Sequence, residues 1–387
     1  MKRENNLYES ITDLNNIINI YNSEIKKNTK NKLKIEKFEN YLSLNIFNIY
    51  NELKEEKVKF SKYHIFLIKE PKYRIIMSQT IKDKIINHLV ARYFLLKVYE
   101  KSFLNSNIAT RKGKGPLFGI KLIKKYINEL KKENKDIYYL KCDISKYFYN
   151  VDHNVLKNIL RKKIKDKKAL KLIDDIIDST NYSYISKRIE ELCQKEIDKI
   201  NKSQIPQKEK NKKIEEINKI PRFDKKGKGI PIGNMTSHAF AIIYLNELDH
   251  YIKEKLNIKY YARYMDDFIC LDIDKEKLKK VQTIINKKLE NDFKLRLNPK
   301  THIGKLKDGL DFLGFRFILQ NNKLYLKIRT MIKKRFKKKV KKLTKLSKNN
   351  HKYSKVLESV HASYYGHLKE GNTYYLYKKI SFKELYE

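Results

Sequence analysis

Tryptophan is absent from this 387-residue chain, and Cys (3), Met (5), Pro (6) and Gly (11) are all scarce. Cys142, Cys193 and Cys270 are too few and too scattered for a disulfide framework or a zinc site. No run approaches the roughly 18 apolar residues that a membrane span needs. Met1-Lys2-Arg3-Glu4-Asn5-Asn6 is polar and lacks the apolar core of a signal peptide. The expectation is a cytoplasmic protein with no membrane partner. Acid is the other shortage: 45 Asp and Glu face 88 Lys and Arg, a formal charge of +43.

What is present is bulky. Hydrophobic residues make up 41% of the chain, with 28 Tyr and 17 Phe, so a sizeable core can form and disorder is excluded as the overall state. The length suits two or three subdomains. Abundant Lys, Asn, Ile and Tyr read as the codon bias of an AT-rich genome. Such bias could turn Arg into Lys, but it would not by itself make cations double the anions. A polyanionic partner explains the charge best. A basic membrane-surface protein is the weaker alternative.

No internal repeat is found. Residues 1–60 read as a polar helical lead-in, with Ile11, Leu14, Ile17 and Ile18 in helix-like spacing. From about 61 the texture changes to short apolar runs. Ile137-Tyr138-Tyr139-Leu140-Lys141-Cys142 and Phe268-Ile269-Cys270-Leu271 are strand-like, while 81–99, 117–131 and 238–256 are helix-like. This mixture predicts an α/β or α+β core. Residues 183–220 are rich in Lys and Glu and predict a charged insertion standing off that core. Residues 331–350 form a basic amphipathic helix, read as lying along a phosphate backbone rather than as a solvated face.

Chemistry concentrates in Tyr261-Ala262-Arg263-Tyr264-Met265-Asp266-Asp267-Phe268-Ile269-Cys270-Leu271. The pattern predicts a strand–turn–strand hairpin presenting Asp266 and Asp267 at its tip. Two like charges between apolar flanks are costly unless a cation sits between them. An earlier apolar run delivers Asp143 in Leu140-Lys141-Cys142-Asp143-Ile144-Ser145-Lys146-Tyr147-Phe148. Alone, Asp143 reads equally well as a helix N-cap.

Together these segments resemble the reverse transcriptase family, whose catalytic box is Tyr-Met-Asp-Asp. The resemblance implies an α+β right-hand polymerase fold, with fingers and palm over 61–320 and a basic helical thumb over 321–387. It implies that Asp143, Asp266 and Asp267 hold two Mg²⁺ ions, or Mn²⁺ in their place, about 4 Å apart, with the Ile144 carbonyl as an extra ligand. Phe148 matches the position that excludes a ribose 2′-hydroxyl. Lys72-Tyr73-Arg74 resembles the motif whose cations contact the incoming dNTP, and Arg111-Lys112-Gly113-Lys114-Gly115-Pro116 resembles a flexible loop near the template. Gly229-Ile230-Pro231-Ile232-Gly233-Asn234-Met235-Thr236-Ser237 resembles the motif whose Gly backbone lies against nucleotide and template. Leu297-Asn298-Pro299-Lys300-Thr301 resembles the motif whose Lys acts as general acid on pyrophosphate. Phe312-Leu313-Gly314-Phe315 resembles the primer-grip hairpin, and Lys337 and Lys338 fall on the basic helix that would track template and primer.

The segment Ile232 to Asp249, with Tyr364-Tyr365-Gly366-His367-Leu368-Lys369-Glu370-Gly371-Asn372-Thr373, resembles the diversity-generating retroelement branch. Two departures stand out: Ile232 where relatives carry Gln, and Ser237-His238 where the branch ends in Ser-Gln. The branch implies a cognate structured template RNA, nascent cDNA and a small basic accessory protein as partners, in a bacterial or phage setting. A second reading is a defence-type enzyme, retron-like or abortive-infection-like. A third, from another class, is a catalytically silent RNA-binding protein that keeps only the fold.

Overall fold

The computed structural model describes residues 3–348 and 350–382. The chain packs as two compact units, each assembled from separated stretches. The first comprises Met1–Phe103, Ser145–Glu247 and Lys288–Arg296; the second comprises Leu104–Ile144, Leu248–Lys287 and Leu297–Glu387. Their borders fall elsewhere than residues 60 and 320, because neighbouring strands and helices are drawn from distant stretches.

In the first unit Asp13 caps helix Leu14–Ile20, its carboxylate accepting from the Asn15 N–H at 2.8 Å. Ile11 and Ile17 are buried as expected, but Leu14 and Ile18 are 42% and 38% exposed. The helix runs on into a wider π-helical turn, Tyr21–Lys26, and buries Ile17, Ile20, Tyr21 and Ile25 instead. Strands β1 (His64–Ile68) and β2 (Arg74–Ser78) form an antiparallel hairpin with Ile65 opposite Met77.

Helix Ser183–Asn201 lays Ile185, Ile189, Cys193 and Ile200 into one cluster with Ile65, Ile75 and Met77. This corrects the charged insertion expected at 183–220. Spacings of four and seven residues put those apolar positions on one stripe, and Lys and Glu fill only the other faces. Helix Met235–Tyr244 is buried on nearly every side. The Tyr147 hydroxyl donates to the Ala241 carbonyl at 2.6 Å and the Tyr244 hydroxyl to the Phe293 carbonyl at 2.7 Å, as buried hydroxyls require.

The second unit is built on an antiparallel sheet of β3 (Tyr138–Cys142), β4 (Tyr260–Tyr264), β5 (Asp267–Asp272) and β6 (His302–Lys305), in the order β4-β5-β3-β6. Phe268 to Leu271 in β5 are wholly buried, so this strand is covered on both faces. Helix Pro116–Leu130 starts with Pro at its first position and presents Ile120, Ile123, Ile127 and Leu130 on one stripe. That stripe joins Tyr139, Ala262, Ile269 and Leu271 in a single core. The same core takes in Phe312, Phe315, Phe317 and Leu326 from a meander of β7 (Leu310–Phe312), β8 (Phe315–Gln320) and β9 (Lys323–Ile328).

Residues expected to open a helical C-terminal segment at 321 are thus the third strand of that meander. Helices follow: Thr330–Ser347, Lys352–Leu368 and Tyr374–Phe382, cored by Phe336, Val340, Leu343, Val360, Leu368 and Ile380. Residues 383–387 of the expected thumb lie outside the described residues. Among the described residues no helix is long and apolar enough to cross a membrane.

Candidate active site

Strand register decides which carboxylates meet. Cys142 of β3 pairs with Phe268 of β5, so the next position on each strand sets Asp143 opposite Asp267. Tyr264 and Asp267 close the β4–β5 hairpin, leaving Met265 and Asp266 as its two-residue turn. Met265 sits at φ 58°, left-handed backbone that a methionine adopts only under constraint. The sequence expectation of a hairpin tip carrying Asp266 and Asp267 is met.

Asp267 is half-buried, and its carboxyl is pushed up to about 6, by burial first, with Asp143 raising it and Lys141 and Arg329 lowering it. One oxygen, Oδ2, accepts from Lys141 Nζ at 3.2 Å. The other, Oδ1, is buried with no hydrogen-bond partner. The same ammonium donates to the Asp311 carbonyl at 2.5 Å and lies 5.7 Å from the Phe312 ring. Asp311 in turn has Oδ2 3.7 Å from Arg329 Nε, and its buried Oδ1 has no hydrogen-bond partner.

Among the described residues no three His, Cys, Asp or Glu side chains are drawn together tightly enough to hold a metal ion. What the strands bring together is the Asp143–Asp267 pair, with Asp266 in the adjoining turn. An orphaned buried carboxylate oxygen beside a second carboxylate, in an all-oxygen donor set, fits a hard divalent cation.

Two further candidates of this unit, Ile144 and Lys300, are tied to the Asp143 strand end. The Asp143 carbonyl accepts from the Asn298 N–H at 2.7 Å, and buried Ile144 bridges Leu297. Asn298 Oδ1 accepts from the Lys300 N–H at 3.0 Å, so exposed Lys300 rides on a loop tied to the Asp143 backbone. Leu313 and Gly314, at φ 50° and 88°, make the two-residue turn between Phe312 and Phe315. Leu313 packs against Gly119, where any Cβ would collide with it and with Ile108.

Arg111 is turned inward: its Nη1 donates to the Leu104 and Asn107 carbonyls at 2.8 and 2.9 Å and closes its own loop. Gly113, at φ 72°, has open space around it. Lys337 and Lys338 lie on the exposed face of helix Thr330–Ser347, whose other side buries Phe336, Val340 and Leu343.

The first unit holds the nucleotide candidates. Arg74 opens β2 and Lys72 precedes it in the hairpin turn; both are exposed. The Ile232 carbonyl accepts from the Met77 N–H at 3.0 Å, and Gly233, at φ 118°, lies so close that a Cβ would stand 3.2 Å from Ile76 Cγ2. The Phe148 carbonyl accepts from the Ile230 N–H at 2.7 Å, and its ring meets His238 edge-on at 6.4 Å. Burial, then His88, pulls the His238 imidazole below its usual range. Ile232 and Gly233 are therefore held against β2, which Arg74 opens, and Phe148 is tied to Ile230 in the same unit.

Sequence reasoning passed over Lys141, Asp311 and His238 as site residues. Lys141 had a signal: a lone cation in an apolar strand, two residues before Asp143 and so on the same face. The ion pair of Asp249 and Arg263 gave none.

Residues 67–317 match the family described as "Reverse transcriptase (RNA-dependent DNA polymerase)". Two solved structures are similar at 15% identity. One is apo telomerase from Candida tropicalis truncated from its C-terminal domain (TM-score 0.45, covering 74% of this chain and 60% of that chain). The other is telomerase from Candida albicans in complex with the TWJ fragment of telomeric RNA (TM-score 0.43, covering 82% of this chain and 55% of that chain). This chain therefore spans 60% and 55% of those two. No curated protein sequence matches it. The family match runs from β1 to β8 and takes in both strand ends that carry the carboxylates. With the right-hand polymerase fold that this match brings, the chain belongs to the reverse transcriptase family.

Proposed function

We propose that this protein is an RNA-directed DNA polymerase that copies a cognate structured RNA into cDNA with low fidelity, in the service of retroelement-driven sequence diversification. One observation carries the polymerase reading: the β3–β5 register that sets Asp143 opposite Asp267, with Asp267 Oδ1 buried and unpartnered. Asp143, Asp266 and Asp267 would hold two Mg²⁺ ions, or Mn²⁺, with the Ile144 carbonyl as a further donor. When bound, such ions stabilise charge on the attacking 3′-hydroxyl and the leaving pyrophosphate.

The chain's own groups do the rest. Lys72 and Arg74 neutralise the triphosphate of the dNTP, and the Phe148 ring excludes a ribose 2′-hydroxyl. The Gly233 backbone lies against the nucleotide with no side chain in the way. Lys300 Nζ gives a proton to the pyrophosphate oxygen as it leaves. Arg111, Gly113, Phe312, Leu313, Gly314, Lys337 and Lys338 guide template and primer. The diversification role rests on the segments around Ile232–Asp249 and Tyr364–Thr373, which also imply a small basic accessory protein. The Ser237-His238 departure counts against that branch, and the second reading is an antiphage defence enzyme of retron-like or abortive-infection-like type.

Primer extension on poly(rA) and on the RNA encoded beside the gene tests both. Asp266→Asn should abolish synthesis while leaving RNA binding intact. Synthesis by that variant within tenfold of the parent would remove the polymerase assignment of this carboxylate. Errors concentrated opposite template adenine support diversification; a low, even error spectrum supports defence.

A further inference from the structure

Behind the carboxylate turn lies an ion pair that the reaction itself does not call for. Arg263, in β4, and Asp249, in helix Asn246–His250, are both wholly buried in the second unit. The pair is bidentate: Arg263 Nε donates to Asp249 Oδ1 and Nη2 to Oδ2, each at 2.6 Å. The Tyr261 hydroxyl adds a third donor to Asp249 Oδ1, also at 2.6 Å. The Arg263 backbone is fixed as well, its N–H donating to the Ser106 carbonyl at 2.9 Å and its carbonyl accepting from the Ile108 N–H at 3.0 Å.

Taking two charges out of water costs free energy that their attraction often only just returns, so such a pair is weakly explained by stability alone. The remaining arm of the guanidinium points to another use. Arg263 Nη1 donates to the Met265 carbonyl at 2.9 Å. Met265 is the residue held at φ 58°, and its carbonyl belongs to the peptide unit that leads into Asp266. Strained backbone persists only where its surroundings over-determine it. Here the surroundings include a charged, planar donor locked on two sides by a buried carboxylate.

We propose that Asp249 and Arg263 are positioning residues for the reaction: through the Met265 carbonyl they hold the turn that sets Asp266 and Asp267 relative to each other. The proposal rests on the polymerase reading of those two carboxylates. Lysine cannot replace the arginine, because one ammonium cannot span both Asp249 oxygens and the Met265 carbonyl in a planar fork. The effect acts on divalent-ion binding and on turnover, while the affinity for dNTP, which the reading gives to Lys72 and Arg74, is left alone.

The test uses the full-length protein in four forms: parent, Asp266→Asn, Arg263→Lys, and the double variant Asp249→Leu with Arg263→Met. The double variant replaces the ion pair by apolar groups, a change that cores commonly tolerate. Mn²⁺ binding is read without nucleotide by the electron paramagnetic resonance of the unbound ion. Single-nucleotide kcat, KM for dNTP and thermal midpoint are read alongside. The expected result is a folded double variant whose Mn²⁺ affinity falls at least fivefold and kcat at least tenfold, with KM within twofold. Arg263→Lys should follow it and should not rescue. A folded double variant with Mn²⁺ affinity and kcat within twofold of the parent overturns the proposal. If the double variant does not fold, Arg263→Lys decides by the same thresholds, and its unfolding too would assign the pair to the core alone. Activity retained by Asp266→Asn would instead bring down the reading of that carboxylate as part of the polymerase site.

Discussion

Lys141 Nζ stands 3.2 Å from Asp267 Oδ2 and reaches past it to the Asp311 carbonyl. A lysine thus faces the carboxylate that the proposed site would give to a cation. Lys141 pairs with Ile269 across β3 and β5, which makes Asp267 its diagonal neighbour on the same face.

Lys141→Met should therefore destabilise the protein when divalent ions are removed. A charge-assisted hydrogen bond at a half-buried site contributes about 1–2 kcal/mol, or a thermal midpoint lower by about 2–8 °C. Saturating Mg²⁺ should restore most of that loss, since it supplies the missing positive charge. Equal midpoints for parent and variant in chelator would show that Lys141 does not compensate Asp267.

The raised Asp267 carboxyl gives a stability prediction with a definite sign. Its folded value of about 6 lies above its ordinary one, so the native state takes up this proton more readily than the unfolded chain. The contribution is stabilising as pH falls between about 6 and 4, and above pH about 6 the charged form is carried at full cost. Lys141 and Arg329 face the group and offset part of that cost; Asp143 adds to it. In chelator, Asp267→Asn should be more stable than the parent at pH 7.5, and the gap should close toward pH 4. Urea unfolding of both proteins across that range measures it, and a gap independent of pH would refute the assignment.

The helix Thr330–Ser347 separates its roles by face, so its cations can be removed without touching Phe336, Val340 or Leu343. Replacing Lys337, Lys338 and Lys339 by Gln should make the dependence of log affinity for RNA on log salt shallower by about 2–3, from roughly 0.7–0.9 per phosphate contact. Fluorescence anisotropy at several salt concentrations reads the slope. An unchanged slope would make this face a solvated surface.

Ile232 is held by its carbonyl, and its branched aliphatic side chain has no donor or acceptor for the hydrogen bond of the amide usual in the family. One such bond is worth about 1 kcal/mol, roughly fivefold in selectivity. Ile232→Gln should lower misincorporation by about that factor, chiefly opposite template adenine. Identical error spectra in two active proteins would take Ile232 out of the fidelity argument.

Much of the second unit's sheet was legible in the chain, because β3 and β5 are apolar runs that end in acid and the hairpin turn is only two residues long. Asp143 and Asp267 were joined only through the family resemblance, since the strand pattern alone left Asp143 equally a helix N-cap. Helix Ser183–Asn201 was misread because its apolar stripe is one residue wide in a background of Lys and Glu, so composition outweighed periodicity. Leu14 and Ile18 share the helical spacing of Ile17 yet stay exposed, because spacing alone does not say which apolar positions a neighbouring element covers. Arg263 and Asp249 could not be paired from the chain at all: the two lie on different elements, and the fold alone fixes their contact.

The interleaving of the two units bears on how the protein is made. The first unit needs Lys288–Arg296 as well as Met1–Phe103, so its opening helices leave the ribosome long before their last partner exists. Cutting the chain after Ile144 or Glu247 would strand part of each unit, and cutting it after Phe103 would strand part of the first. An experimenter wishing to obtain either unit alone would have to rejoin its pieces across the removed segments rather than trim an end.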